Sequence, residues 1–334
     1  MKNSGLTIIN HNVSCFCACK HCFFQSRKTS YGVPYDVGEK IALKFHKWRE
    51  DRGMHEFSLS YTISHCAEYE ELFRNIELNK HFGFIGHSFL QINGIQRCHT
   101  NELRNFLIKL KSAGVSTIDT TFYGLEDFHD NFSARKGDFK FLLEIVKECI
   151  SLGLTSQTTF IITESNKNQL SELIGLLESL GCTKHHGFLP DYLGNGEHIE
   201  SIRLLEKSLG ALPKSVKNCI NIRNYKPESQ WVADNAYIAH TSRNLVLCLR
   251  PDNIDMIETM SCDDIIKYLV DLDEQYYSAI PTIETLSKQY GDVNNKKLYR
   301  QRDLHWKWAK AYICDNQLSI YDVTDGRNCG SIRR

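Results

Sequence analysis

The segment Cys15-Phe-Cys-Ala-Cys-Lys-His-Cys22 lies near the start of a chain of 334 residues. Its first, third and fourth cysteines have the spacing Cys15-x3-Cys19-x2-Cys22, so three thiols lie on one short loop. Three such thiolates can hold three irons of a [4Fe–4S] cluster and leave the fourth iron open to a ligand that is not protein. The segment therefore predicts an iron–sulfur site.

Cys17 supports a second interpretation of the same segment. It divides the cysteines into two close pairs, Cys15-x-Cys17 and Cys19-x2-Cys22, a pattern that could instead indicate zinc. Structural zinc sites usually take two ligand pairs separated by a dozen or more residues. The iron–sulfur interpretation is favoured for that reason, and zinc stays open. Buried core thiols are the plainest alternative, but they do not normally cluster in this way.

Composition limits the classes of partner. Forty basic and forty acidic side chains cancel, so no overall field favours nucleic acid or an anionic membrane. The N-terminus lacks a basic region followed by an apolar run, and no apolar stretch approaches membrane-spanning length. Thirteen cysteines without a secretion signal indicate a reducing cytoplasm. We therefore expect a cytoplasmic protein that binds neither nucleic acid nor a membrane.

Hydrophobic periodicity predicts strands that alternate with helices. The predicted strands are 6–10, 56–63, 89–93, 115–122, 158–162 and 186–189, and the predicted helices between them are 37–50, 68–78, 100–112, 139–151 and 169–180. Six strands alternating with helices favour an α/β fold with a parallel sheet and helical crossovers. Beyond about residue 194 the pattern becomes mainly helical, with further strands expected at 244–249 and 317–322.

A Cys-x3-Cys-x2-Cys loop directly after a first strand resembles the radical S-adenosylmethionine (radical SAM) superfamily. The resemblance implies a partial (β/α)6 barrel over 1–200, with 201–334 as a C-terminal extension packed on it. Chemistry in parallel barrels gathers at the C-terminal ends of the strands, where this loop lies. By resemblance, Cys15, Cys19 and Cys22 are the cluster ligands. SAM then binds the open iron and is cleaved to a 5′-deoxyadenosyl radical, which abstracts hydrogen from a substrate.

The resemblance also implies a set of SAM contacts. They are His21, Ser64, His65, Thr120, Thr121, Arg135, Thr159 and Leu189. Family members usually carry Gly-Gly-Glu-Pro after the second strand, whereas this chain has Tyr61-Thr-Ile-Ser-His-Cys66. Arg135 is expected to clamp the SAM carboxylate, because guanidinium and carboxylate pair through two parallel hydrogen bonds. The alternative is a solvated loop network of Arg135 with His129 and Asp130.

Five cysteines beyond the barrel bear on the subclass. They are Cys219, Cys248, Cys262, Cys314 and Cys329, and their loose spacing does not match the dense signatures of auxiliary clusters. Scattered core thiols are the plainer interpretation. One of them could instead return a hydrogen atom to a substrate radical, as in the radical epimerases of the family.

Three functions follow from these observations. The first is a radical SAM enzyme acting on a peptide or peptide-like substrate, with an electron donor such as flavodoxin or ferredoxin. The second keeps the family and takes a small metabolite, a sugar or nucleoside, for oxidation or epimerisation. The third is a non-catalytic iron–sulfur or zinc protein that senses metal or redox state.

Overall fold

Strands and helices alternate from the first residues of the chain to Phe188. The computed structural model describes residues 1–24, 29–239, 241–320 and 322–331. The order is β1 (Lys2–Asn10), α1 (Tyr35–Asp51), β2 (Ser58–Ile63), α2 (Tyr69–His81), β3 (Phe89–Gln91), α3 (Thr100–Ser112), β4 (Thr117–Phe122), α4 (Glu126–Ser133), α5 (Asp138–Ser151), β5 (Thr155–Ile161), α6 (Leu170–Ser179) and β6 (Lys184–Phe188). All six predicted strands and the five predicted helices are present. The short helix α4 is an addition to them.

The strands form two parallel arrays. β3, β4, β5 and β6 pair in sequence order in one sheet, and β1 pairs with β2 in another. In the part of the chain that the structure describes, the two sheets do not close into a ring. This arrangement confirms the predicted α/β fold with a partial barrel.

The two faces of each sheet differ in polarity, which decides where the core lies. Ile118 and Phe122 of β4 are fully buried against α5, in a core that includes Leu142. Asp119 and Thr121 alternate with them and lie on the opposite face, because successive side chains of a strand point to opposite sides. Apolar side chains therefore pack beneath the outer helices, and polar side chains line the interior of the partial barrel.

The extension is mainly helical, but it contributes two strands to the sheet that contains β1 and β2. Its elements are a 3-10 segment (Gly194–Ile202), α7 (Glu206–Ala211), α8 (Lys214–Cys219), a 3-10 turn (Ile222–Asn224), β7 (Lys226–Pro227), α9 (Glu228–Asp234), β8 (Ser242–Cys248), α10 (Ile254–Thr259), α11 (Cys262–Ala279), α12 (Ile283–Tyr290), β9 (Leu298–Tyr299), α13 (Gln301–Asp315) and β10 (Gly330–Ser331). β8 pairs in parallel with β1, and β10 pairs antiparallel with β8. The predicted strand at 244–249 is β8, and the boundary near residue 200 stays a prediction.

The prediction of a strand at 317–322 is wrong for the residues of this segment that the structure describes. Residues 317–320 and 322 are not in a strand, and residue 321 lies outside the described residues. The segment follows α13 through a residue with positive φ, Gln317 at +51°. Alternating Leu318 and Ile320 pack against the aromatic core of the extension instead of pairing with a strand.

The last described residues return to the cysteine loop. The Gly194 N–H donates to the Thr324 carbonyl at 2.8 Å, and Gly326 lies directly against the Phe23 ring. No disulfide joins two cysteines among the described residues. Among the described residues, every helix is too short or too polar to cross a bilayer.

Candidate metal centre

The cysteine loop is tied to two neighbouring loops by backbone hydrogen bonds. The Phe16 N–H donates to Gly94 O, which follows β3, at 3.0 Å. The N–H groups of Ala18 and Lys20 donate to carbonyls in the last turn of α4, also at 3.0 Å. Because both anchors follow strands at the same end of the partial barrel, the thiols are held over the C-terminal ends of the sheet.

The thiols line one cavity of about 300 Å³. Its lining residues are Cys15, Cys17, Cys19, His21, Cys22, Phe23, Phe24, His65, Gln91, Asn93, Thr121, Tyr123 and Phe188. The three predicted ligand thiols therefore share one cavity with several aromatic rings. Three thiols in one cavity suit a [4Fe–4S] cluster with one iron facing a small ligand.

Cys17 is held by a carboxylate on α5. Its Sγ donates to Asp138 Oδ2 at 3.6 Å, and the residue is 3% exposed. A hydrogen bond with Cys15 is the largest cause that raises the pKa of Cys17 far above its usual range. A raised pKa favours the protonated thiol, whereas metal ligation takes the thiolate; the ligand set of Cys15, Cys19 and Cys22 stays a prediction.

The pKa of Cys19 moves in the opposite direction. A hydrogen-bonding contact with Cys17 and a hydrogen bond from the Tyr123 hydroxyl lower it, against the raising effect of burial. The Tyr123 hydroxyl lies 3.2 Å from Cys19 Sγ. Thiolate is the form that binds metal, so this environment prepares Cys19 for ligation.

Asp138 is the centre of a buried polar network beneath the loop. Its carboxylate accepts from His129 Nε2 at 3.1 Å and from Arg135 at 3.2 Å, as well as from Cys17. The His129 ring in turn accepts the Tyr123 N–H at Nδ1. The sequence alternative of a solvated network of His129, Asp130 and Arg135 is thus replaced by a buried one centred on Asp138.

Two further possible metal ligands, His65 and Cys66, lie beside Cys15 on the loop after β2. The donor atoms of Cys15, His65 and Cys66 all lie within 4.8 Å of one another. Cys66 Sγ donates to Gly94 O at 2.9 Å, and the Cys15 thiol also points to that oxygen. This segment follows β2, where the resemblance implies a Gly-Gly-Glu-Pro motif, and sequence reasoning did not single out Cys66 as a donor.

His21, His65 and Thr121 of the predicted SAM contacts lie in the cavity. Burial lowers the pKa of His21 to about 4, so its imidazole is neutral. His65 Nε2 lies at hydrogen-bond distance from the Asn93 carbonyl, so Nε2 carries the proton and Nδ1 is an acceptor. The Thr121 hydroxyl accepts from Gln91 at 2.6 Å.

The other predicted contacts do not line this cavity. Ser64 and Thr159 donate to protein acceptors, Val13 O at 2.8 Å and Asp119 at 2.9 Å. Thr120 is 1% exposed, on the face of β4 opposite to Thr121. Leu189 is fully buried, and its N–H donates to the Tyr225 hydroxyl. Their roles as SAM contacts stay predictions.

Arg135 also lies outside the cavity lining. Its guanidinium donates to Ile95 O at 2.9 Å and to Asp138, and it stacks over the Phe16 ring at 5.7 Å. Both hydrogen bonds come from Nη1, one arm of the fork that was expected to grip the SAM carboxylate. The clamp therefore stays a prediction, and the observed pairing gives it no support.

Beyond the segment that carries the cysteines, sequence reasoning missed four residues that line the cavity: Gln91, Asn93, Tyr123 and Phe188. Each lies at or just beyond the C-terminal end of a strand, where chemistry gathers in parallel barrels. The Asn93 side chain also makes two hydrogen bonds with the backbone of β4: it donates to Thr121 O and accepts from the Thr121 N–H. A rule that collects polar and aromatic residues at predicted strand ends would have found them.

Gly94 gives a direct test of how the loop is seated. It has φ of +78°, and a Cβ there would overlap Cys15 Sγ. We expect Gly94→Ala to lose most of the iron bound on anaerobic reconstitution, because the Cys15 sulfur must move. Gly83→Ala is the matched control, since Gly83 has φ of +72° with open space around it and adds backbone strain alone. Equal iron content in the two variants, measured by iron assay, would contradict this account.

No protein-family model matches the sequence. No curated protein matches it either. Among solved structures, the chain is similar to native anSMEcpe with bound AdoMet, at a TM-score of 0.52 and 12% identity over 93% of this chain and 97% of that one. The same protein with bound AdoMet and the Kp18Cys peptide gives a TM-score of 0.50 and 11% identity, over 93% and 98%.

SuiB of Streptococcus suis bound to its precursor peptide SuiA gives a TM-score of 0.50 at 11% identity, over 78% of this chain. The match spans 61% of that SuiB chain, and in the S-adenosylmethionine complex of SuiB it spans 40%. At such identities the likeness is one of fold.

Proposed function

We propose that this chain, which has the fold of the radical SAM superfamily, binds a [4Fe–4S] cluster through Cys15, Cys19 and Cys22 and uses SAM to modify a peptide or peptide-like substrate. One observation carries the proposal: three thiols with this spacing line a single cavity over the strand ends. When bound, the cluster and SAM supply a 5′-deoxyadenosyl radical that takes a hydrogen atom from the substrate.

The chain's own residues hold and shield this site. Asp138 accepts a hydrogen bond from Cys17, the cysteine outside the proposed ligand set. Phe23, Phe24 and Phe188 form part of the cavity wall, which excludes water from a reactive centre. A site with these thiols needs a reducing compartment, so we propose a cytoplasmic location and an electron donor such as flavodoxin or ferredoxin.

His65 is proposed to bind the amino group of SAM through Nδ1, the acceptor nitrogen of its ring. A hydrogen bond with a charged group contributes about 1.5–3 kcal/mol, so His65→Ala is expected to weaken SAM binding about tenfold or more. Anaerobic equilibrium binding of SAM to the reconstituted protein measures this. His87→Ala is the control, because His87 bonds to Phe84 O outside the cavity lining. Equal SAM affinities for the two variants would reject His65 as a SAM contact.

The peptide substrate is proposed by likeness. Two of the similar structures hold peptides, the Kp18Cys peptide in anSMEcpe and SuiA in SuiB. The second possibility within the superfamily is a small metabolite, a sugar or nucleoside, which is oxidised or epimerised. A precursor-peptide gene beside the gene for this chain would favour the first.

The function is tested by anaerobic reconstitution followed by incubation with SAM and a strong reductant. We expect about four irons and four sulfides per chain, and formation of methionine and 5′-deoxyadenosine. A chain that binds the cluster but releases no 5′-deoxyadenosine would refute the proposed enzymatic function. About eight irons per chain would instead indicate an auxiliary cluster among the later cysteines.

A non-catalytic metal protein is the second candidate, and the convergence of Cys15, His65 and Cys66 favours it. Two thiolates and one imidazole are common zinc ligands. The protein as isolated would then hold about one zinc, lost in Cys66→Ser and retained in Cys22→Ala. Zinc content that is unaffected by Cys66→Ser, or absent, would remove this candidate.

A further inference from the structure

We infer that Tyr123 sets the reduction potential of the cluster by donating a hydrogen bond to the ligand Cys19. The inference rests on the proposed function, since it takes Cys19 as a ligand. The Tyr123 hydroxyl lies 3.2 Å from Cys19 Sγ, and the residue is 3% exposed. An N–H or O–H donor this close to a ligand sulfur is one of the means by which proteins tune iron–sulfur potentials.

Both ends of the tyrosine backbone are fixed, so the hydroxyl cannot leave the sulfur without a larger rearrangement. The Tyr123 N–H donates to His129 Nδ1 at 3.2 Å, and its carbonyl accepts from Asn166 Nδ2 at 2.6 Å. Because Nδ1 of His129 is an acceptor, Nε2 carries the proton and donates to Asp138. The position of Tyr123 is therefore locked through His129 to the carboxylate beneath the loop.

The ring of Tyr123 is also confined by its neighbours. It stacks on His129 at 5.1 Å between centroids and packs on Phe132 at 4.6 Å. On the cavity side the neutral His21 ring lies 5.3 Å away. A phenol has only its O–H torsion left once the ring is held, so the donor direction is preorganised toward Cys19.

The sign of the effect follows from charge. One-electron reduction adds negative charge that is shared by the cluster and its ligand sulfurs, so a hydrogen bond to sulfur becomes stronger in the reduced state. Tyr123 is buried and Cys19 is half-buried, and the lowered dielectric around them strengthens the bond further. Tyr123 therefore favours the reduced cluster and raises its potential. It is a positioning residue, because it acts through Cys19 and needs no contact with SAM.

The test compares reconstituted Tyr123→Phe with the wild type. We expect full iron content but an equilibrium constant for reduction that is about tenfold lower, a shift of about 59 mV to more negative potential for a one-electron couple. An anaerobic potentiometric titration followed by electron paramagnetic resonance measures it. Tyr61→Phe is the matched control, because Tyr61 is 1% exposed on the helix side of β2 and donates to Tyr35 O at 3.2 Å.

A second variant separates donor strength from packing. 3-Fluorotyrosine at position 123 has a more acidic hydroxyl, so it is expected to shift the potential in the positive direction. A potential that stays constant across these variants, or that moves equally in Tyr61→Phe, would overturn the inference while leaving the cluster itself in place. Failure of the wild type to assemble any cluster would instead reject the proposed function.

Discussion

Replacing Cys15 with alanine is expected to abolish formation of 5′-deoxyadenosine and to leave a folded protein that no longer holds an intact cluster. Cys15 supplies one of the three proposed ligand thiols in the cavity, and the residue is 8% exposed. With only two ligands left, two irons of the cluster have no protein thiolate, so the protein no longer holds the cluster firmly. Iron and sulfide assays after anaerobic reconstitution, together with chromatography of the reaction products, measure both effects.

Cys17→Ser is the matched control for this loss. Serine keeps a hydroxyl that can donate to Asp138, and the three proposed ligands are untouched. We expect this variant to hold about four irons per chain and to cleave SAM. Full turnover by Cys15→Ala, or loss of the cluster in Cys17→Ser, would show that the ligand set has been assigned wrongly.

Asp138→Ala is expected to destabilise the fold by about 3–5 kcal/mol. The Asp138 carboxylate is 1% exposed and accepts from His129 and Arg135. Removing it leaves the buried N–H of His129 without its acceptor and the partly buried guanidinium of Arg135 without its carboxylate, and these uncompensated groups account for most of the cost. Urea unfolding of the protein without metal, followed by circular dichroism, gives the change in the free energy of unfolding.

Glu148→Ala provides the comparison within the same helix. Glu148 on α5 pairs with Arg104 at 2.8 Å, but that guanidinium is 45% exposed. Exposed ion pairs contribute at most about 1 kcal/mol, because water already solvates both partners. Similar losses in the two variants would mean that the network under the loop has no special role in stability.

Local sequence patterns were sufficient for the elements of the barrel. Alternating β-branched and aromatic residues predicted β1 and β4 within a few residues of their observed bounds. The short helix α4 was missed, since its eight residues follow directly on a glycine turn and carry too few apolar repeats. The strands of the core can be predicted from the alternation of apolar and polar residues along each strand, which is a local property.

The site was predicted less completely, because it depends on contacts between distant parts of the chain. The cysteine spacing predicted the loop that lines the cavity, and His65 could be placed from its position after a strand. Arg135 could not, since the sequence does not show that Asp138 accepts its guanidinium. Tyr123 and Cys19 are more than a hundred positions apart, as are β1 and β8, and no short pattern reports such pairs.

The pairing of β8 with β1 has a consequence for how this protein can be dissected. A truncated chain that stops near residue 200 would uncover the outer edge of β1 and its row of unpaired amide and carbonyl groups, beside the apolar Leu245 and Leu247 positions that would be vacated. Bare strand edges recruit other chains. We therefore expect the barrel and the segment after it to fold as one unit, and a fragment that ends near residue 200 to aggregate.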